Sequence, residues 1–126
     1  MIDKTCKLTD AEWLIMEVLW EEGTFTGRKA TELMKQKEGW SRSTTLTLLR
    51  RLESKGAVIS SMKDGLKIFE PAILREDAAL QETEDFLNKV YKGSIGLMVS
   101  ALTKKESLSE QEIQKLHEIL EELEEK

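Results

Sequence analysis

A mainly α-helical fold carrying one small β-hairpin is what this 126-residue sequence predicts. Three observations carry the prediction. Apolar residues recur at three- and four-residue spacing in three successive N-terminal segments, and again from residue 73 onward. Two β-rich runs, 57–63 and 66–70, flank the dipeptide Asp64-Gly65, a strong signal for a two-residue hairpin turn. The segment just before that hairpin, Trp40-Ser-Arg-Ser-Thr-Thr-Leu-Thr-Leu-Leu-Arg-Arg-Leu-Glu-Ser-Lys-Gly56, reads as a capped helix with hydroxyls and guanidinium groups on its outer faces. Such a helix followed by a basic-tipped hairpin is the pattern of a winged helix-turn-helix, with the helix in the major groove of DNA and the hairpin beside the backbone. The expected architecture is a winged-helix DNA-binding domain at residues 1–71 and a helical dimerisation domain at residues 72–126.

Each element has a local cause. The first helix starts at Thr9-Asp-Ala-Glu12, a capping box, with Leu8 placed to staple onto Trp13. Its expected inward set is Ala11, Leu14, Ile15, Val18 and Leu19, and Gly23 ends it. Phe25 begins a short extended link. The second helix begins after Thr26 and runs to about Lys37, with Ala30, Leu33 and Met34 inward. The third is capped by Ser41, turns Thr45, Leu48, Leu49 and Leu52 inward, and stops at Gly56 as its C′ residue. Pro71 closes the second strand. From 73 to about 103 the pattern is helical again, and Gly93 and Gly96 predict a break or kink, since glycine inside a helix costs roughly 1 kcal/mol against alanine. The last helix opens with a second capping box, Ser109-Glu-Gln-Glu112, stapled by Leu108 and Ile113. Its apolar residues Ile113, Leu116, Leu120 and Leu123, with Ile119 beside them, are too few heptads to stand alone as a coiled coil. They need a partner surface, and a second copy of the chain is the simplest source.

Composition narrows the function. The net charge of −5 argues against nucleic acid until its distribution is examined. Residues 1–71 hold 12 Lys and Arg against 11 Asp and Glu, and residues 72–126 hold 7 against 13, so the acidic excess is C-terminal. Within residues 40–56, Arg42, Arg50, Arg51 and Lys55 face Glu53 alone, and such local patches govern phosphate binding. No apolar run is long enough to span a bilayer, and the first residues lack the apolar stretch of a signal peptide. A single cysteine, Cys6, precludes an internal disulfide, so a cytoplasmic protein is expected. Enzymatic options fail on inventory. The one histidine, His117, lies in an acidic helix with no second ligand to complete a metal pair. Cys6 reads as an inert thiol with no activating cluster around it. The Glu121-Glu122 and Glu124-Glu125 pairs read as a solvated face. There is no phosphate loop, nucleophile triad or dinucleotide fingerprint, so no enzyme, metal or cofactor is expected. Trp13, Trp20 and Trp40 sit beside apolar residues and read as core or staple residues rather than base-stacking aromatics.

The candidate DNA-binding residues are Ser41, Arg42, Ser43, Thr44, Leu46, Thr47, Arg50, Arg51, Lys63 and Lys67. Arginines on a helix face are ordinary by themselves. They gain weight here from a serine-capped N-terminus able to meet a phosphate, short hydroxyls suited to close groove approach, a first turn with Arg42 and no acid, and the Lys63/Lys67 hairpin that follows. Leu46, at the edge of the core stripe, is either core or a contact for a thymine methyl. The candidate dimer interface is Leu87, Val90, Tyr91, Met98, Ile113, Leu116, Leu120 and Leu123.

The chain resembles the penicillinase/methicillin-resistance repressors and their copper-responsive relatives, the BlaI/MecI/CopY type. The resemblance rests on Leu8-Thr-Asp-Ala-Glu-Trp-Leu-Ile-Met16, on Trp40-Ser41 with Ser43, Thr44, Thr47, Leu48, Arg51-Leu52 and Lys55-Gly56, on Phe86-Leu-Asn-Lys-Val-Tyr-Lys-Gly93, and on Leu108-Ser-Glu-Gln-Glu-Ile113. It implies a homodimeric repressor that binds a palindromic double-stranded operator. It also implies relief by proteolysis in the dimerisation domain, set off by a membrane sensor-protease. The corresponding bond here joins Ala101 and Leu102, where the β-lactam-responsive members carry Asn and Phe. The metal-binding Cys-x-Cys motifs of the copper branch have no counterpart in Glu-Glu-Leu-Glu-Glu-Lys. Leu46 also departs from the family, whose members tend to carry a polar or basic residue there. Two alternatives stand beside this reading: a winged-helix regulator responsive to a small molecule, and a protein-interaction module that has kept the fold.

Overall fold

A computed structural model of the chain describes residues 7–125, and Cys6 lies outside the described residues. The described residues form helices α1 (Asp10–Glu22), α2 (Gly27–Glu38), α3 (Arg42–Lys55), α4 (Arg75–Tyr91), α5 (Ile95–Lys104) and α6 (Glu110–Glu124). The strands are β1 (Phe25–Thr26), β2 (Val58–Lys63) and β3 (Leu66–Pro71). They form one antiparallel sheet in the order β1-β3-β2. The chain divides into two compact units, one ending at Glu82 and the other beginning at Thr83.

The helix starts obey their side chains. Thr9 Oγ1 accepts the Glu12 N–H at 3.1 Å, and Glu12 Oε1 accepts the Thr9 N–H at 2.8 Å, a complete capping box. Thr26 and Ser41 cap α2 and α3 through the N–H groups of Lys29 and Thr44. The hairpin turn places Asp64 at φ 51° and Gly65 at φ 80°, both in the left-handed region that a two-residue turn of the right twist requires. The short extended link expected at Phe25 is a two-residue strand. Phe25 pairs with Phe69 and Thr26 with Ile68, so the second helix hangs from the sheet at its N-cap, Thr26.

The core of the first unit joins α1, α2, α3 and the sheet through Ile15, Met16, Leu19, Met34, Leu49, Leu52 and Val58, all essentially inaccessible. One expectation fails here. Leu14 is 40% exposed, and Met16 is buried in its place. The buried residues of α1 are Glu12, Ile15, Met16, Val18 and Leu19; Val18 is inward as expected, and the Glu12 carboxylate faces inward to meet a lysine from α3. Past the sheet, Ile73 is buried, its carbonyl accepts the Trp20 indole N–H at 2.9 Å, and Ala78 packs on the core. The first turns of α4 thereby belong to the first unit.

In the second unit, α4 stops at Tyr91. Lys92 and Gly93 take positive φ values of 52° and 84°, and Ser94 caps α5 by accepting the Leu97 N–H at 3.1 Å. The predicted break falls at Gly93, whereas Gly96 lies inside α5. Ser109 accepts the Glu112 N–H at 3.2 Å. The return bond from the Glu112 carboxylate, made at Thr9, is not formed among the described residues, so the second capping box is half made. No residue of α4, α5 or α6 is buried. Among the described residues no helix is long and apolar enough to cross a membrane.

Candidate nucleic-acid interface

Helix α3 is held by one side and leaves the other free. Thr45, Leu48, Leu49 and Leu52 are buried, while Arg42, Ser43, Thr44, Thr47, Arg50 and Arg51 are exposed. At its start the Ser41 hydroxyl accepts the Thr44 N–H at 3.2 Å. It lies 3.2 Å from the Ser43 hydroxyl and 3.0 Å from that of Thr44. Three hydroxyls therefore cluster at a helix N-terminus whose first turn holds no acid. That arrangement suits a phosphate oxygen, which gains from the helix dipole and from the donors together. Among the described residues, Arg42, Arg50, Arg51 and Lys63 pair with no carboxylate, so their charge is available to an outside anion.

The other candidates are more engaged. Lys67 lies 3.7 Å from the Glu53 carboxylate and 5.3 Å from the centre of the Phe69 ring. Leu46 is half-buried and packs on the core. A Cβ placed on Gly27 would come within 3.3 Å of its Cδ2, so it sits where α3 crosses the start of α2.

Two basic residues escaped the sequence reading. Arg28 and Lys29 occupy the first turn of α2, which also lacks an acid. Arg28, Thr31 and Glu32 line a crevice with Arg42 of α3. The signal was the one already used for α3, a basic first turn behind a hydroxyl cap, but the Arg28–Glu32 pair four residues apart reads as an ordinary solvated helix face.

The far end of α3 is locked to the start of α1. Lys55 Nζ donates to Glu12 Oε1 at 2.5 Å and to the Lys7 carbonyl at 2.7 Å. Glu12 is 1% exposed. Burial pushes its carboxyl up, but bonds from Lys55 and Thr9 outweigh burial and hold it below the usual carboxylate value. Lys55 thus spends its charge inside the fold.

The tryptophans serve the scaffold. Trp13 and Trp20 meet edge to face at 5.4 Å, and Trp40 is half-buried against the core. Arg75 stands over Trp13 and binds Glu17 at 2.6 Å, which raises the guanidinium further above its already high value.

In the second unit, Leu87, Tyr91, Met98 and Leu116 are half-buried, while Val90, Ile113, Leu120 and Leu123 are exposed, Leu123 by 61%. Ala101 and Leu102 lie inside α5. His117 is exposed on α6, and among the described residues no cluster of three or more His, Cys, Asp or Glu could hold a metal ion.

Residues 8–122 match the sequence profile of the penicillinase repressor family. The chain belongs to the penicillinase repressor family. It is 35% identical to the methicillin resistance regulatory protein MecI of Staphylococcus aureus strain N315, over 95% of this chain and 98% of that protein. It is 30% identical to the penicillinase repressor of Bacillus licheniformis, over 94% of this chain and 93% of that protein. Among solved structures, the DNA-binding domain of the repressor BlaI superposes with a TM-score of 0.54 at 26% identity, covering 61% of this chain and 93% of that one. Monomeric Bacillus licheniformis BlaI in complex with the blaP half-operator gives 0.53 at the same identity and coverage. Over the part they cover, the first unit has the fold of the BlaI DNA-binding domain.

Proposed function

We propose that this member of the family is a homodimeric, sequence-specific transcriptional repressor that binds a palindromic operator. The first unit, which ends at Glu82, would carry DNA recognition, and the second, from Thr83, dimerisation. The observation that carries the reading is the outer face of α3. It combines three clustered hydroxyls, three guanidinium groups with no carboxylate partner and no acid in the first turn. The half-operator complex of BlaI supports the same reading by likeness. On this reading Ser43, Thr44 and Thr47 approach base edges, Ser41 and Arg42 meet a phosphate at the helix start, and Arg50, Arg51 and Lys63 supply backbone charge.

Dimerisation is supported by the second unit, where three helices bury no residue and leave Val90, Ile113, Leu120 and Leu123 open. A second copy would cover Leu87, Tyr91, Met98 and Leu116 together with them. Relief of repression would follow loss of that interface, through cleavage between Ala101 and Leu102 by a sensor-protease system or through another signal acting on α5.

Fluorescence anisotropy with a duplex from upstream of the chain's own gene, at two salt concentrations and with non-specific competitor, tests the proposal. Tight, competitor-resistant, salt-dependent binding is expected. Binding no better than competitor, there and in a genome-wide selection of DNA fragments, would overturn it.

One observation favours a second reading, regulation by a small molecule. Leu8, Thr9, Asp10, Trp13, Leu14 and Glu82 line a cleft of about 410 Å³, within the usual size range of ligand sites. Melting shifts across a library of organic cations would reveal an occupant.

A further inference from the structure

The sole acidic residue of α3 is Glu53, close to the helix's C-terminal end. A carboxylate there is disfavoured twice: by the negative end of the helix dipole, and by any polyanion that the arginines beside it would attract. What holds it is the hairpin. Glu53 Oε2 accepts a close hydrogen bond from the Ser60 hydroxyl of β2, and Oε1 lies 3.7 Å from Lys67 Nζ of β3. Ser60 stands opposite Phe69 and Lys67 opposite Met62, so both donors project from the same face of the hairpin, the face that also carries buried Val58 and Phe69. One carboxylate thus grips both strands.

That grip matters because little else holds the outer hairpin. From Ser61 to Lys67 every residue is exposed, Met62 by 67% and Leu66 by 59%. Core packing fixes the base of the hairpin at Val58 and Phe69 and stops there. Lys67 is further pinned across the Phe69 ring at 5.3 Å.

We propose that Glu53 is a positioning residue for DNA recognition, a strut that sets the hairpin's angle to α3 so that groove and backbone contacts are made together. This rests on the DNA-binding reading given above. It also assigns the two hairpin lysines different work: Lys67 belongs to the strut, and Lys63 at the tip is the hairpin's free cation. Preorganisation of this kind raises specific affinity by removing the cost of ordering the hairpin on binding.

The test compares wild type, E53Q and E53A. Glutamine keeps an acceptor for Ser60 and loses the ion pair, whereas alanine loses both. Hydrogen exchange on the free proteins reads the strut without DNA. Amides of residues 61–63 and 67–68 are expected to exchange about tenfold faster in E53A, with E53Q intermediate and the amides of α1 unchanged. Anisotropy then reads the consequence, as the ratio of affinities for the upstream duplex and a random duplex of equal length. Mere removal of a negative charge would tighten binding to both duplexes alike. A strut predicts that E53A loses several-fold of the ratio while E53Q keeps most of it. Unchanged exchange in the hairpin of E53A, or a ratio equal to wild type with both affinities tightened, would overturn the proposal. A wild-type protein with no preference for any duplex would instead sink the DNA-binding reading and leave the exchange result to judge the strut alone.

Discussion

Replacing Lys55 with methionine should reverse the sign of part of this protein's pH dependence. Glu12 is 1% exposed, and its Oε1 receives Lys55 at 2.5 Å and the Thr9 N–H at 2.8 Å, while Oε2 has no hydrogen-bond partner among the described residues. In the wild type the carboxyl is held below its ordinary value. A carboxyl depressed on folding contributes stability that is present above its unfolded value, near 4.5, and is lost as pH falls through the lower folded value. K55M removes the opposing charge and leaves burial, the largest single influence on this group, against the bonds from Thr9 alone. The carboxyl then rises above its ordinary value, and acidification toward pH 5 should stabilise the variant where it leaves the wild type unaffected. At neutral pH, stranding a buried carboxylate costs about 3–5 kcal/mol, discounted here to about 2–3 kcal/mol because the lysine is 34% exposed and partly screened. For a unit of this size that lowers Tm by roughly 10–20 °C. The double variant E12Q/K55M should recover most of the loss, since no charge remains to be stranded. Thermal melts followed by circular dichroism at pH 5 and pH 7 measure all of this. A K55M melting point within 2–3 °C of wild type, about half a kilocalorie, with the wild-type acid limb intact, would refute the account of a buried, charge-compensated Glu12.

Other perturbations separate the parts of the molecule. Arg50→Gln together with Arg51→Gln should weaken binding to all DNA and flatten the dependence of log K on log salt by up to about 1 unit per lost phosphate contact; an unchanged slope in anisotropy titrations would place these arginines away from the duplex. Leu120→Asp puts a charge on the apolar side of α6 and should halve the mass seen by light scattering, whereas retention of the wild-type mass would remove Leu120 from the interface. Trp20→Phe takes away the donor to the Ile73 carbonyl and should cost about 1–2 kcal/mol in urea unfolding; no loss would mean that water replaces the indole.

Local signals made most of the first unit legible. Thr9, Thr26 and Ser41 cap the helices that the sequence assigns them, and the α3 stripe of Thr45, Leu48, Leu49 and Leu52 is buried as its spacing requires. What could not be read is tertiary. A two-residue strand such as β1 has no periodicity, and only its pairing with β3 defines it. Met16 is buried and Leu14 exposed on a helix whose Glu12 faces inward to Lys55, more than forty positions away. Periodicity treats a glutamate as outward-facing and has no means of anticipating its partner. The same limit hid the division of labour between Lys63 and Lys67, since nothing in the spacing of a hairpin tells which lysine a helix carboxylate will hold. The return arm at Glu112 failed for a different reason. An exposed glutamate loses little by staying solvated, so the capping-box spacing permits that bond without requiring it.

The contrast between the two units bears on how repression would end. The first unit has its own buried core, so its recognition face is fixed whether or not a partner is present. Among its described residues the second has none buried, and its exposed apolar side chains can be covered only by something outside the unit. If that cover is a second copy, the order of α5 and the existence of the dimer are one equilibrium rather than two, as in dimers without a stable folded monomer. A palindromic site needs both copies, because the second half-site adds its affinity only while the linkage holds. The bond between Ala101 and Leu102 lies within a helical turn, and a protease requires extended backbone, so cutting there presupposes local opening of α5. An inducing signal therefore need not touch α3 or the hairpin. On the proposed reading, loosening α5 would be enough, because it would remove the dimer first and the paired half-sites with it, leaving each recognition helix intact but too weakly held to compete for an operator.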